Sequence, residues 1–154
     1  MNPNTTRAMT EQMAAVAARC LPEGVAIETM TATVGLPVIA SREAYEAAAH
    51  ETVKMYGRSD RSHEAAIIGC FGDPGLEALR DVARAPVLGL AESSIREADA
   101  LGEPFAILTM GSAWVDILNE RVALAAPRMR FVGVFAGEGT GLDLSRRGAW
   151  AVEE

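Results

Sequence analysis

Residues 65–75 read AAIIGCFGDPG, and the fold turns on them. The run from Ala65 to Cys70 has the length and bulk of a buried strand. Turn chemistry follows at once. Asp73 suits a helix N-cap, and Pro74 suits the first helical position, where its missing N–H is not needed. Cys70 therefore falls where a strand gives way to a loop. In open α/β sheets that edge is where ligands bind. A helix starting at Pro74 would turn free N–H groups and the positive end of its dipole toward the same spot. A thiol so placed is pushed toward thiolate, the reactive form. A buried structural cysteine is the competing reading, because free cysteines are commonly buried. Position tilts the balance toward reactivity.

Outward from this stretch, helical and extended patterns alternate. A turn at the N-terminus leads into a helix capped by Asn4 or Thr5. Met9, Met13, Val16 and Cys20 recur at helical spacing and predict one buried stripe, which makes Cys20 a core residue. Residues 25–33 (VAIETMTAT) alternate as a strand does. After a loop at 34–40, Ser41 caps a helix over 42–56, with Glu43 in its first turn. His50 reads as a packed or solvated residue of that helix. Residues 57–63 form a polar connector, and His63 lies at the strand end opposite Cys70.

Beyond the central stretch the pattern predicts a helix over 74–84, with Leu76, Leu79 and Val82 or Ala83 facing inward. A strand over 86–90 and a helix over 91–101, ended by Gly102, come next. Then come a strand over 104–110 and a helix from Gly111 or Ser112 to about Ala125, with Val115, Leu118 and Val122 as its stripe. Pro127 interrupts, residues 129–136 form a strand, 137–141 (GEGTG) a loop, and 148–154 the first turns of a helix. Such alternation predicts an α/β fold, a mostly parallel sheet with helices on both faces.

The chain has 154 residues, 49% of them hydrophobic, and a net charge of −7. That is enough for one packed domain. The acidic balance argues against a nucleic-acid partner. No apolar run reaches the length of a membrane span. The N-terminal MNPNTTRAMTEQ lacks a signal pattern, so a cytoplasmic location is expected. Cys20 and Cys70 show no CxxC spacing, which predicts neither a disulfide nor a metal site.

Most other motifs fall away. The third glycine of GEGTG arrives one residue early for a dinucleotide fingerprint, and no βαβ unit fits after it. Neither GK[ST] nor HExxH occurs. Ser93 and Ser94 sit outside any GxSxG elbow, and Ser112 has no visible histidine partner. Glu92, Asp116 and Glu120 read as solvated helix faces. Cys70 remains as the candidate for chemistry.

CFGDPG at 70–75, together with NPNT at 2–5, resembles the hydantoin racemase branch of the Asp/Glu racemase superfamily. PVLGLAESS at 86–94 and FAILTMGSAW at 105–114 follow in the expected order, so the likeness covers nearly the whole chain. The resemblance implies two similar flavodoxin-like α/β halves with the substrate between them. Residues 1–101 would be the first half, carrying NPNT and Cys70, and 102–154 part of the second. It implies one cysteine from each half. One, as thiolate, takes a proton from the carbon next to a carbonyl; the other, as thiol, delivers a proton to the opposite face. The backbone N–H groups of Phe71, Gly72 and Asp73 would stabilise the enolate-like charge. Asn2 would bond the substrate ring or carboxylate, and Thr109 and Ser112 would contribute from the second half. The substrate would be a hydantoin, an amino acid or a related carboxylate. No cofactor or metal would be needed, and a homo-oligomer is expected.

Two departures from the family pattern shape the expectations. Family members carry a strand immediately before NPNT, where Met1 stands here; its loss would leave residues 25–33 and 65–70 without the neighbour between them. A second-half cysteine has no counterpart, since Cys20 belongs to the first helix. A chain shortened at both ends, with one proton-transfer group, is the expectation. Three alternatives follow. The first is a maleate cis–trans isomerase, whose cysteine is a nucleophile. The second is an arylmalonate decarboxylase, although its retained cysteine lies in the second half. The third is a catalytically inactive truncated family member.

Overall fold

Apolar runs become short parallel strands. In the computed structural model, which describes residues 1–59, 62–125, 130–140 and 143, β1 is Ala66–Ile68 and β2 is Val87–Gly89. They pair in parallel, Ala66 opposite Val87 and Ile68 opposite Gly89. A second parallel pair joins β3 (Phe105–Met110) to β4 (Phe131–Gly137), with a bulge after Phe105. The helices are α1 (Arg7–Cys20), α2 (Arg42–Arg58), α3 (Leu76–Val82), α4 (Leu90–Ala100) and α5 (Ala113–Ala125). The α/β class with parallel strands is therefore as expected. The expected break at Pro127, the strand start at Met129, the loop end at Gly141 and the helix turns at 148–154 lie outside the described residues.

Two apolar clusters hold these elements. Tyr56, Ile68, Leu76, Leu79 and Val87 pack α2 and α3 onto the first strand pair. Ala91, Ile95, Ile107, Leu118 and Val122 pack α4 and α5 onto one face of the second. The opposite face of that second pair is apolar and open: Leu108, which is 82% exposed, stands across from the exposed Phe135.

Residues 25–33 do not form the expected strand. Their one strand-like pairing is a parallel bridge between Thr31 and Asn2. Asn2 N–H donates to Met30 O at 2.7 Å, and Ala32 N–H donates to Asn2 O at 2.9 Å. On its other side Met1 takes the Gly69 N–H at 2.7 Å, and its amino group donates to Ile67 O at 2.8 Å. Two residues thus bridge the segment at Met30–Ala32 to β1, at their carboxyl ends. Nearer the start of the segment Val25 and Ile27 are exposed.

That arrangement also overturns the predicted stripe on α1. Thr10 is the buried residue of this helix, while Val16 and Cys20 are exposed. The helix is seated at its N-terminal end, where Thr10 meets Asn2 and Thr31 and where Met13 presses on Gly69. Past Met13 it runs beyond the two-residue bridge, and Val16 and Cys20 stay exposed. Helical spacing records which residues share a face and not whether anything lies beneath it.

The largest correction concerns Asp73. It does not cap α3, which starts at Leu76, two residues after the predicted start, behind a left-handed Gly75 (φ 81°). Instead Asp73 adopts φ 54° and turns its carboxylate, fully buried, onto the first turn of α4. There it accepts the Ala91 N–H at 2.9 Å and the Glu92 N–H at 2.7 Å. These are two of the donors a helix N-terminus leaves without partners, and the dipole adds to the attraction. Gly89, the residue at the N-cap position, leaves the space: a Cβ there would fall on the Asp73 carboxylate. Glu92 is likewise not solvated. It is buried and paired with Arg80 and Arg96, and the Arg80 hydrogen bond holds its carboxyl below the usual value.

Asp73→Ala should therefore destabilise the fold by about 1–3 kcal/mol, the range for losing a helix cap built on a charged acceptor. Gly89→Ala should do comparable harm by displacing the same carboxylate. Urea unfolding monitored by circular dichroism should show lower midpoints with an unchanged slope.

Candidate functional site at the carboxyl edge

Parallel pairing makes several loops leave the sheet on one side. Pro3 follows Asn2, residues 33–41 follow Ala32, and Cys70 follows Gly69. α4 begins at the same edge, directly from β2.

The loop after β1 closes on itself. Asp73 N–H donates to Cys70 O at 3.0 Å, and Leu76 N–H donates to Asp73 O at 3.1 Å. Its glycines are required by close approach. At Gly72, with φ 153°, a Cβ would sit 2.5 Å from the Trp114 ring. At Gly75 it would sit 2.6 Å from Ala49 O of α2. From α2, Tyr45 donates its hydroxyl to Gly72 O at 2.8 Å. Trp114, in the first turn of α5, meets the Tyr45 ring edge-on at a centroid distance of 6.3 Å. The cysteine loop is thus clamped between two aromatic side chains from two helices. Arg42 pairs with Glu120 through two hydrogen bonds and Arg121 with Glu77 at 2.8 Å, which tie α2 and α3 to α5 around the clamp.

The electrostatics oppose the expected thiolate. Cys70 keeps partial solvent contact, yet burial pushes its thiol up to about 12, and the nearby Asp73 carboxylate adds to the effect. Burial is the larger cause and the Asp73 carboxylate the smaller, and α3 begins at Leu76, two residues later than the sequence pattern implied. Burial likewise drives the Tyr45 hydroxyl up to about 12, with Arg121 opposing. Asp73 is itself raised by burial, while the Glu92 and Ala91 N–H groups pull it down.

The structure places the expected site residues unequally. Phe71 and Gly72 follow Cys70, and their N–H groups donate to no acceptor among the described residues. The Asp73 N–H is spent on Cys70 O and its carboxylate on α4. Asn2 is 0% exposed. Its amide donates to Asn4 Oδ1, Thr6 O and Thr10 Oγ1, and its Oδ1 accepts the Asn4 N–H. NPNT therefore builds a buried turn. Thr109 is half-buried near the end of β3 and Ser112 is exposed just before α5. Among the described residues neither hydrogen-bonds to the cysteine loop; Trp114 is what reaches it from that side.

Tyr45, Trp114 and Arg121 escaped the sequence reading. Arg121 is buried, and its Nε has no hydrogen-bond partner among the described residues. Among the described residues no group of His, Cys, Asp and Glu gathers to hold a metal ion, and no helix is long and apolar enough to cross a membrane.

Comparison with known proteins follows the same lines. A family profile described as Asp/Glu/Hydantoin racemase matches residues 1–147. A hydantoin racemase of Paenarthrobacter aurescens is 29% identical over 136 residues, covering 87% of this chain and 58% of that protein. Another, from a Pseudomonas strain, is 34% identical over 113 residues, covering 71% of this chain and 45% of that protein. The chain thus spans about half the length of the curated relatives it matches. Among solved structures, an allantoin racemase from Pseudomonas fluorescens superposes with a TM-score of 0.87 at 26% identity, over 94% of this chain and 62% of that one. The allantoin racemase from Klebsiella pneumoniae gives 0.82 at 27%, over 94% and 59%.

The two thiols should differ in reactivity. Exposed Cys20 should be alkylated by iodoacetamide at the rate of a free cysteine. Cys70 should react at least about tenfold more slowly at neutral pH, because the thiolate is the attacking form. Peptide mapping by mass spectrometry after timed quenching measures both.

Proposed function

The chain belongs to the Asp/Glu/hydantoin racemase family, and from that premise we propose that it acts on a hydantoin or related cyclic ureide at the carbon next to the carbonyl, with Cys70 as the proton-transfer group on one face. The observation that carries this reading is the position of Cys70. It lies at the carboxyl edge of a parallel sheet, half-buried, beside two backbone N–H groups that donate to no acceptor among the described residues.

The chemistry follows from the protonation state. A solvent base reaching the far face takes the C5 proton and carries it into bulk water, and the electron pair moves into the carbonyl to give a planar enolate. Cys70 S–H then delivers its proton to the near face, which leaves a thiolate that solvent reprotonates. A thiol raised to about 12 holds its proton at neutral pH and is set up as the donor in this direction. The Phe71 and Gly72 N–H groups supply fixed donors for the developing oxyanion. Asp73 and Asn2 act as positioning residues: one anchors the loop to α4, the other shapes the turn beside it. Thr109 and Ser112 line the opposite wall in this reading. Only acid–base groups and hydrogen-bond donors are required, so no cofactor enters the scheme. A nucleophilic role, as in a maleate isomerase, is less well supported, because it needs the thiolate.

The test is exchange of the C5 proton of an enantiopure 5-substituted hydantoin in D2O, followed by NMR alongside optical rotation. Exchange and decay of optical rotation above the buffer rate are expected with the wild type and with Cys20→Ala. In Cys70→Ala the decay of optical rotation should fall to the buffer rate, and any remaining exchange should proceed with retention of configuration. Optical rotation that decays unchanged in Cys70→Ala, or exchange absent with folded wild-type protein, contradicts the proposal.

A further inference from the structure

The Phe71 and Gly72 N–H groups have no acceptor among the described residues, and the direction in which they point depends on Gly72. Glycine has no Cβ to restrict it and swings more freely than any other residue. Gly72 uses that freedom, since its φ of 153° is one that side chains rarely adopt. Left to itself, such a residue would sample several arrangements. Gly72 is also buried, and a buried backbone N–H is rarely left without an acceptor. An oxyanion placed beside Cys70 would supply one.

Three contacts remove the freedom. The Tyr45 hydroxyl donates to Gly72 O at 2.8 Å. At the other end of the same peptide group, the Asp73 N–H donates to Cys70 O at 3.0 Å. The Trp114 ring backs the α-carbon, 2.5 Å from where a Cβ would stand. One peptide plane is thus held at both ends and blocked from one side. Tyr45 does this without entering the proton transfer. Burial raises its hydroxyl to about 12, so the hydroxyl keeps its proton in the neutral range and commits it to Gly72 O. Donors aimed in advance at developing charge accelerate a reaction because they need not reorganise, and a misplacement of about 1 Å can cost about a hundredfold in rate.

We propose that Tyr45, backed by Trp114, is a positioning residue: its hydroxyl locks the Gly72 peptide so that the Phe71 and Gly72 N–H groups stay aimed at the enolate oxygen. The inference rests on the functional reading above and extends it to side chains of α2 and α5 that act through the loop.

Initial rates of optical-rotation decay, measured over a range of concentrations of enantiopure 5-isobutylhydantoin, separate kcat from KM and test it. Tyr45→Phe should lower kcat about tenfold and change KM by less than about twofold, as for an interaction realised only in the transition state. Its pH profile should keep the wild-type shape, because the hydroxyl takes no part in proton transfer. Trp114→Phe, which removes the benzo ring that meets Gly72, should lower kcat in the same way. Because both side chains act on one peptide, the double variant should lose less than the product of the two single losses. Far-UV circular dichroism establishes folding, and if one single variant does not fold, the other decides. Wild-type kcat in the folded variants, or a loss that falls on KM, overturns the positioning role and leaves the functional reading standing. Folded wild-type protein that leaves the rotation unchanged removes the hydantoin reading and this inference with it.

Discussion

A buried carboxylate organises the carboxyl edge of this protein. Asp73 reaches from the loop after β1 to the first turn of α4 and satisfies two N–H groups that the helix would otherwise leave bare. Burying a charge is costly unless it is paired with strong donors, and a helix N-terminus supplies both the donors and a favourable dipole. The contact fixes the loop relative to a helix that also packs against the second strand pair. It accounts for Gly89, where any side chain would displace the carboxylate. It also accounts for the left-handed backbone at Asp73, a conformation that short polar residues tolerate best.

The sulfur inherits its environment from this anchor. Burial disfavours the Cys70 thiolate first, the Asp73 carboxylate adds to it, and Tyr45 and Trp114 pack the loop from two helices. The same clamp explains why Gly72 carries no side chain. The same loop therefore carries both the helix anchor and the thiol, and the surroundings of Cys70 keep it protonated.

Much of this was legible beforehand, and the failures have identifiable causes. Apolar runs placed β1, β2 and β3 to within a residue or two, because burial between helices requires such runs. Ser41 announced the start of α2 correctly, since a cap is a local interaction. Asp73-Pro74 misled for the same reason turned around. The pair looks like a local cap, but the carboxylate found a helix 18 residues onward that offered better-placed donors. Cys20 and Val16 carried a periodic signal yet are exposed. The partners of the buried Asn2 side chain, Asn4, Thr6 and Thr10, were not announced by the motif, because they meet only once the turn has closed onto α1. Tyr45 and Trp114 lie on different helices far apart in the chain, and no spacing rule connects them. Long-range partnerships of this kind are set by tertiary packing, which single-chain patterns do not record.

Superposition on racemases across nearly the whole chain places the cysteine loop within a known architecture, while those structures continue beyond the matched portion. The account rests above all on the grip of Asp73 on α4. The most direct check is a pH titration of the Ala91 and Glu92 amide resonances by ¹H–¹⁵N NMR. Both should shift downfield together as one carboxylate ionises, at a pH above the ordinary aspartate value of 3.8, and the shared transition should vanish in Asp73→Asn. Amides that keep their transition in Asp73→Asn, or show none in the wild type, would contradict the account.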